Sequence, residues 1–280
     1  MKVRKALTLG VVATLSVLTL AACGNNQAAS GHKGQLNLAL PSEMPSLDPS
    51  LGVDNESLEA MSNTEEGIYR LGKDSKPENA MATNTKISKD GLHWTFTLRH
   101  GVKWSNGDTV TAKDFVYSWR RTIDPKTGGQ YAYLFDGVKN ADAIQKGKAP
   151  VNSLGIKADG KYKLQVTLEK PIPYFKLLLG FPVYFPENER AVKQFGKKYG
   201  QTSATQVYNG PFRVSGYKGT NSKWSWIKNK TYWDKKHVKL NKINFQVVKE
   251  SNTQLNMYNS KKIDMTNLSG DQVAQYKHNK

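Results

Sequence analysis

Residues 92–121 constrain the fold more than any other stretch of the chain. In HWTFTLR, Trp94, Phe96 and Leu98 alternate with Thr95, Thr97 and Arg99. A period of two buries one face of a strand and leaves the other outside. Asn106-Gly107-Asp108 then signals a turn. A helix is expected to follow in TAKDFVYSWRR, with Thr111 at the N-cap and Asp114 at N3, near the positive helix end. Phe115, Val116 and Trp119 form its apolar face, Arg120 and Arg121 fall in the last turn, and Asp124-Pro125 ends it. A half-buried strand running into an amphipathic helix requires a layered protein that mixes the two element types.

The rest of the chain repeats this mixture. LNLAL (36–40) is a short apolar strand stopped by Pro41, and the proline-rich PSEMPSLDPS after it must be extended or turning. A helix is expected from Ser57, with Leu58, Met61 and Ile68 inward. Tyr162, Leu164, Val166 and Leu168 mark a strand after an Asp159-Gly160 turn. PIPYFKLLLGFPVYF holds a short helix, and residues 190–200 form a helix stopped by glycine. Ile243, Phe245 and Val247 mark another strand, and 251–264 a helix with Leu255 and Tyr258 inward. The order is not a strict βαβ alternation, so the reading is α/β or α+β with a mixed sheet.

The N-terminus speaks to location. MKVRK is basic, residues 6–22 are uncharged and largely apolar, and small residues precede Cys23, which is the layout of a secretory signal. Leu20-Ala21-Ala22-Cys23 resembles the lipobox of bacterial lipoproteins. The resemblance implies cleavage before Cys23 and lipidation of its thiol; the alternative is an ordinary secretion signal with a chance cysteine. Removing residues 1–22 would leave 258 residues and lower the net charge from +18 to +15, because three basic and no acidic residues leave. With one cysteine, no disulfide forms within the chain, so stability must come from packing. Residues 23–34 read as a flexible tether.

Several function classes find no support. The histidines His32, His93, His100, His237 and His278 form no H-E-x-x-H and no Cys/His zinc spacing, and no Walker loop, G-x-G-x-x-G or G-x-S-x-G occurs. No catalytic residue, metal site or cofactor is expected, and a secreted hydrolase would lack machinery. The widely scattered lysines lack a nucleic-acid-binding motif. They read as a solvated basic surface with an anionic bilayer or envelope as a plausible neighbour.

GLHWTFTLRHGVKWSNGDTVTAKDFVYSWRR (91–121) resembles the signature of the oligopeptide-binding proteins of ABC importers, the family-5 solute-binding proteins. SEMPSLDP, DPKTGGQYAYLF, KPIPYFKLLL, NGPFRV, TYW and KIDMTNLS follow in family order. The resemblance implies a periplasmic-binding-protein-like α/β fold (type II, cluster C). Its first lobe would comprise residues 35–70 and 170–270, a family-specific subdomain residues 71–169, and the start of the crossover to an absent second lobe residues 271–280. It implies a lipid-anchored or periplasmic receptor, a monomer, that captures short peptides for membrane permease subunits; the lipobox and the lysine-rich surface point to the outer face of the cell membrane of a Gram-positive cell. The family grips peptide mainly through backbone hydrogen bonds.

That suits Ser42, Glu43 and Met44, although Glu43 reads equally as a solvated loop carboxylate. Tyr131 resembles a cleft tyrosine, with core packing as its alternative, and Asn267 is placed near the hinge. Trp94, Trp104 and Trp119 are expected in the core. A chain ending before the second lobe suggests a truncated or split receptor impaired in transport. The alternative class is an anchored surface protein that binds anionic wall polymer or a signalling peptide.

Overall fold

A computed structural model describes residues 34–277. Cys23, the signal segment, most of the tether, His32 and His278 lie outside the described residues. In chain order the elements are β1 (Gln35–Leu40), α1 (Asn55–Thr64), β2 (Tyr69–Leu71), β3 (Pro77–Asn79), β4 (Ala82–Ile87), β5 (His93–Leu98) and α2 (Ala112–Ile123). There follow α3 (Ala141–Gln145), β6 (Ile156–Ala158), β7 (Lys163–Thr167), α4 (Phe175–Leu178) and α5 (Glu189–Phe195). The last elements are β8 (Phe212–Ser215), β9 (Lys223–Lys228), β10 (Lys242–Val247), α6 (Ser251–Asn259) and α7 (Gly270–Tyr276).

Two four-stranded sheets organise the chain. The first has the order β1-β10-β9-β8, with β1 and β10 parallel and the other pairs antiparallel. Its register aligns Leu36, Ile243, Trp226 and Val214 across the four strands. Strand alternation therefore gathers Ile243, Phe245, Trp224, Trp226, Phe212 and Val214 into one buried face. The opposite face carries Asn37, Asn244 and Ser225 in one row, joined by side-chain hydrogen bonds of 3.0 and 2.9 Å.

The second sheet, β4-β5-β7-β6, is wholly antiparallel. Trp94, Phe96 and Leu98 are buried, as their spacing predicts, and so are Leu164 and Val166 opposite them. Helix α2 closes this core: Trp119 meets Phe135 and Tyr184 edge-on at 5.3 Å each, and its indole N–H donates to the Tyr184 carbonyl at 2.9 Å. Trp104 joins Trp94 and Trp119 inside. The helix start is the expected capping box of Thr111 and Asp114.

Packing draws a different line from the one expected at residue 170. Ile172, Phe175, Leu179, Tyr184, Tyr199 and Val207 belong to the apolar cluster beneath the second sheet. Only from Tyr208 does this later stretch return to the cluster of the first sheet, which Met44, Leu47 and Ala60 also join. The alternation in the strands shows that a residue is buried, but not which of two cores receives it. Two local expectations also shift. Helix α1 ends at Thr64, so Ile68 is buried outside it, and Tyr258 on α6 is 46% exposed while Leu255 is buried.

Candidate functional site

Parallel β1 and β10 end on the same side of the first sheet. Each is followed by a helix, α1 and α6, and the carboxyl ends of parallel strands are where open α/β sheets place ligands. A groove of about 460 Å³ lies there. Leu40 and Pro41 contribute from the end of β1, Glu56 and Glu59 from α1, Lys249 from the turn into α6, and Thr266 and Asn267 from the segment before α7. Desolvation, and then the neighbouring charge of Glu56, raise the Glu59 carboxyl above its ordinary range. Acid on one wall and Lys249 on another thus offer both signs of charge.

The strand beside the groove keeps part of its edge free. β1 pairs along its length with β10, and the Val248 amide extends that pairing by donating to the Leu40 carbonyl at 2.8 Å. On its other side, among the described residues, the segment 264–265 covers its middle: the Asp264 amide donates to the Asn37 carbonyl at 2.8 Å, the Asn37 amide donates to Asp264 Oδ2 at 2.6 Å, and Leu38 forms a parallel bridge with Met265, so only the part toward Leu40 is left open. Such an edge offers backbone donors and acceptors to an added extended chain. The surface around it is apolar where a soluble surface is usually not: Met265 is 60% exposed, and Leu268 and Val273 are exposed with it.

The loop leading from β1 into α1 is held from beneath. Asp54 caps α1 by accepting from the Ser57 amide at 2.8 Å, and the Ser57 hydroxyl accepts from the Ser46 amide at 3.2 Å. The Tyr217 hydroxyl donates to the Met44 carbonyl. Deeper in, the guanidinium of Arg121 forks onto Asp48 at 2.6 and 2.7 Å and also reaches Glu187 at 2.7 Å. Ser50 donates to the same Glu187 oxygen at 2.7 Å. One guanidinium thus serves two buried carboxylates, and a third, Glu65, lies close by and accepts from Gln206 Nε2 at 2.7 Å. Burial first, and then the charge of Asp48, push Glu187 up to about 8. Glu65 is raised well above the usual range by burial, then by Glu187 and Asp48. The second oxygen of each of these two glutamates has no hydrogen-bond partner, which favours the uncharged form.

The expected site residues separate on this framework. Asn267 lines the groove. Glu43 stands at its rim, 3.5 Å from Lys249, with both side chains exposed. Ser42 is exposed beside it. The Met44 side chain turns the other way: it is 1% exposed in the core of the first sheet, and its carbonyl is already taken by Tyr217, so a ligand-facing role for it finds no support in the structure. Tyr131 does not line this groove; it packs on Phe181, and its hydroxyl donates to the Val53 carbonyl at 3.0 Å, bracing the approach to α1. The reading of the sequence missed Glu56, Glu59, Lys249 and Thr266. Their common signal is position: Glu56 and Glu59 lie in the first turns of the helix that follows β1, Lys249 lies just after β10, and Thr266 lies beside the β1 edge. Among the described residues no group of three His, Cys, Asp or Glu side chains could hold a metal ion, and no helix is long and apolar enough to cross a membrane.

Comparison with known proteins places these features. The family of bacterial extracellular solute-binding proteins, family 5, middle region, matches residues 76–280. A dipeptide-binding protein of Lactococcus lactis is 43% identical over 272 residues, covering 96% of this chain and 49% of the relative. The oligopeptide-binding protein OppA of Bacillus subtilis is 38% identical over 259 residues, covering 90% and 47%. The structure of Listeria monocytogenes OppA bound to peptide superposes with a TM-score of 0.86 at 48% identity, over 89% of this chain and 49% of that one. The pheromone receptor PrgZ gives 0.86 at 41% identity, over 89% and 50%. The chain spans about half the length of the curated relatives it matches. With its mixed α/β architecture and with most of its length matched, the chain belongs to the family-5 bacterial extracellular solute-binding proteins.

Proposed function

We propose that the groove at the carboxyl ends of β1 and β10 is one wall of a peptide-binding cleft, and that the protein captures short peptides outside the cell for an ABC importer. The observation that carries this reading is the partly free edge of β1 opening onto a groove that holds Asn267, with Glu43 at its rim. An extended peptide laid along that edge would bond through its backbone. Such a mode is indifferent to side chains and suits a general receptor. Glu56 and Glu59 opposite Lys249 suit the two charged ends of a zwitterionic peptide.

In this reading Cys23 carries the lipid anchor, the protein acts as a monomer, and the membrane permease receives the peptide. The relatives named for dipeptide and oligopeptide binding support the substrate class. The test is calorimetry and thermal unfolding with a mixed library of short peptides. A ligand that binds only the folded state raises the melting temperature, by the equivalent of about 2.7 kcal/mol at a hundredfold excess over Kd. Heat release with a raised Tm supports the reading; no response to any peptide refutes it.

A further inference from the structure

The loop joining β9 to β10 lies at the opposite end of the first sheet from the groove. It carries Lys230, Lys235, Lys236 and Lys239, all exposed, and Lys228 and Lys242 flank it, half-buried. Among the described residues four lysines outside this loop pair with carboxylates, Lys146, Lys163, Lys193 and Lys249, and many others are unpaired but more widely spaced. Among the described residues none of these six lysines forms an ion pair, and the acid within the loop, Asp234, is engaged by Arg70 and His237.

The loop is held in shape. Val238 and Leu240 pack on the apolar cluster of the first sheet, and Lys228 Nζ donates to the Val238 carbonyl at 2.6 Å. Tyr232 and Trp233 both donate to the buried Glu66. The cations therefore stand on a fixed scaffold.

The chain enters the fold beside these lysines: the Gly34 carbonyl accepts from the Asn241 amide at 2.7 Å and from the Lys242 amide at 3.3 Å. β1 then runs six residues to the groove, ~20 Å away at the rise of an extended strand. The site where a tether from Cys23 joins the folded part and this run of unpaired lysines thus share one end of the sheet, while the groove occupies the other.

We propose that the lysine loop 230–239 is a membrane-docking surface that rests on anionic phospholipid headgroups, turning the groove outward. This rests on the proposed anchoring at Cys23. A lipid on Cys23 fixes where the chain meets the bilayer but not which face of the folded part meets it, and a basic patch beside the tether adds a second, electrostatic contact that sets that face. Each lysine at an anionic surface is worth about a fivefold change in binding, so four together reach several hundredfold. The effect fades within a Debye length of roughly 8 Å at physiological salt, which is why lysines next to the tether matter and scattered ones do not.

The test uses the full chain made in a lipoprotein-processing bacterium and reconstituted into vesicles of phosphatidylcholine, with or without phosphatidylglycerol. Spin labels at Lys236→Cys and Ser42→Cys report depth, and transfer between vesicles reports attachment. The expected result is a label at 236 held at headgroup depth on anionic vesicles only, released at about 0.5 M salt, with the label at 42 in water throughout. A variant with Lys230, Lys235, Lys236 and Lys239 changed to Gln should leave anionic vesicles up to several hundredfold faster, and neutral ones at an unchanged rate. Since salt acts on the unmodified chain, a misfolded variant would not hide the answer.

Equal depth at both positions, with transfer insensitive to salt and lipid charge, overturns the proposal while leaving the anchor intact. If mass analysis finds no acyl group on Cys23, the anchor reading fails. Salt-sensitive flotation on anionic vesicles would then still support the loop, and its absence would overturn it. Loss of polyglycerol-phosphate binding in the Gln variant, with vesicle behaviour unchanged, assigns the loop to wall polymer and overturns the proposal as well.

Discussion

Glu187→Gln isolates the cost of keeping a buried carboxyl uncharged. The glutamine preserves the acceptor oxygen used by Ser50 and Arg121 and leaves the Arg121–Asp48 fork in place. It removes only the titration. In the folded protein Glu187 titrates at about 8, against an ordinary value of 4.5, because burial and Asp48 oppose its charge. Between those values the folded state holds a proton that the unfolded chain has released, so stability falls as pH rises through the window. Each pH unit inside it removes up to ~1.4 kcal/mol, and the total over this window of about 3.5 units is on the order of 5 kcal/mol.

The variant should therefore match the parent near pH 5, within about 1 kcal/mol, and exceed it by a few kcal/mol near pH 8. Urea unfolding at several pH values, with m unchanged, reads this directly. Part of the slope persists through Glu65, which is raised in the same direction. Parallel stability curves for parent and variant across this range would refute the charge argument.

Three further outcomes follow from the packing and the groove. Trp119→Ala empties a fully buried site between Phe135 and Tyr184 and should cost ~3–5 kcal/mol in chemical denaturation. Gly200→Ala should destabilise by ~1–3 kcal/mol, since Gly200 has φ +71° and a Cβ there would stand 2.5 Å from the Asp48 nitrogen. Asn267→Ala should weaken binding of the best library peptide by roughly tenfold, the worth of one lost hydrogen bond, and should leave the melting temperature of the free protein unchanged.

Much of this structure is written in local patterns. The alternation of Trp94, Phe96 and Leu98 and the N-cap of Thr111 with Asp114 at N3 each follow from spacing alone, because period and capping act over a few residues, whereas the burial of Trp104 is expected from the family resemblance. The division between cores does not, since Ile172 to Val207 could pack on either sheet and long-range contacts decide. Met44 shows the same limit within the candidate site. It sits among exposed loop residues in sequence, yet the Tyr217 hydroxyl and the core of the first sheet claim it from more than a hundred positions away. Tyr131 likewise answers to Val53 and Phe181. Glu56, Glu59 and Lys249 became visible only once β1 and β10 were known to be parallel neighbours, as pairing of distant strands leaves no local trace.

That pairing has a consequence for how the chain acquires its shape. Asn37 and its partner Asn244 are 207 positions apart. Bringing such distant segments together costs about 5 kcal/mol of loop-closure entropy before their contacts repay any of it. A polypeptide delivered N-terminus first must therefore carry β1 without its neighbour until Val247 has emerged, while the second sheet, complete by Thr167, can assemble sooner. The groove at the end of β1 consequently forms later than the second sheet, and whatever binds there reports that β1 and β10 have met.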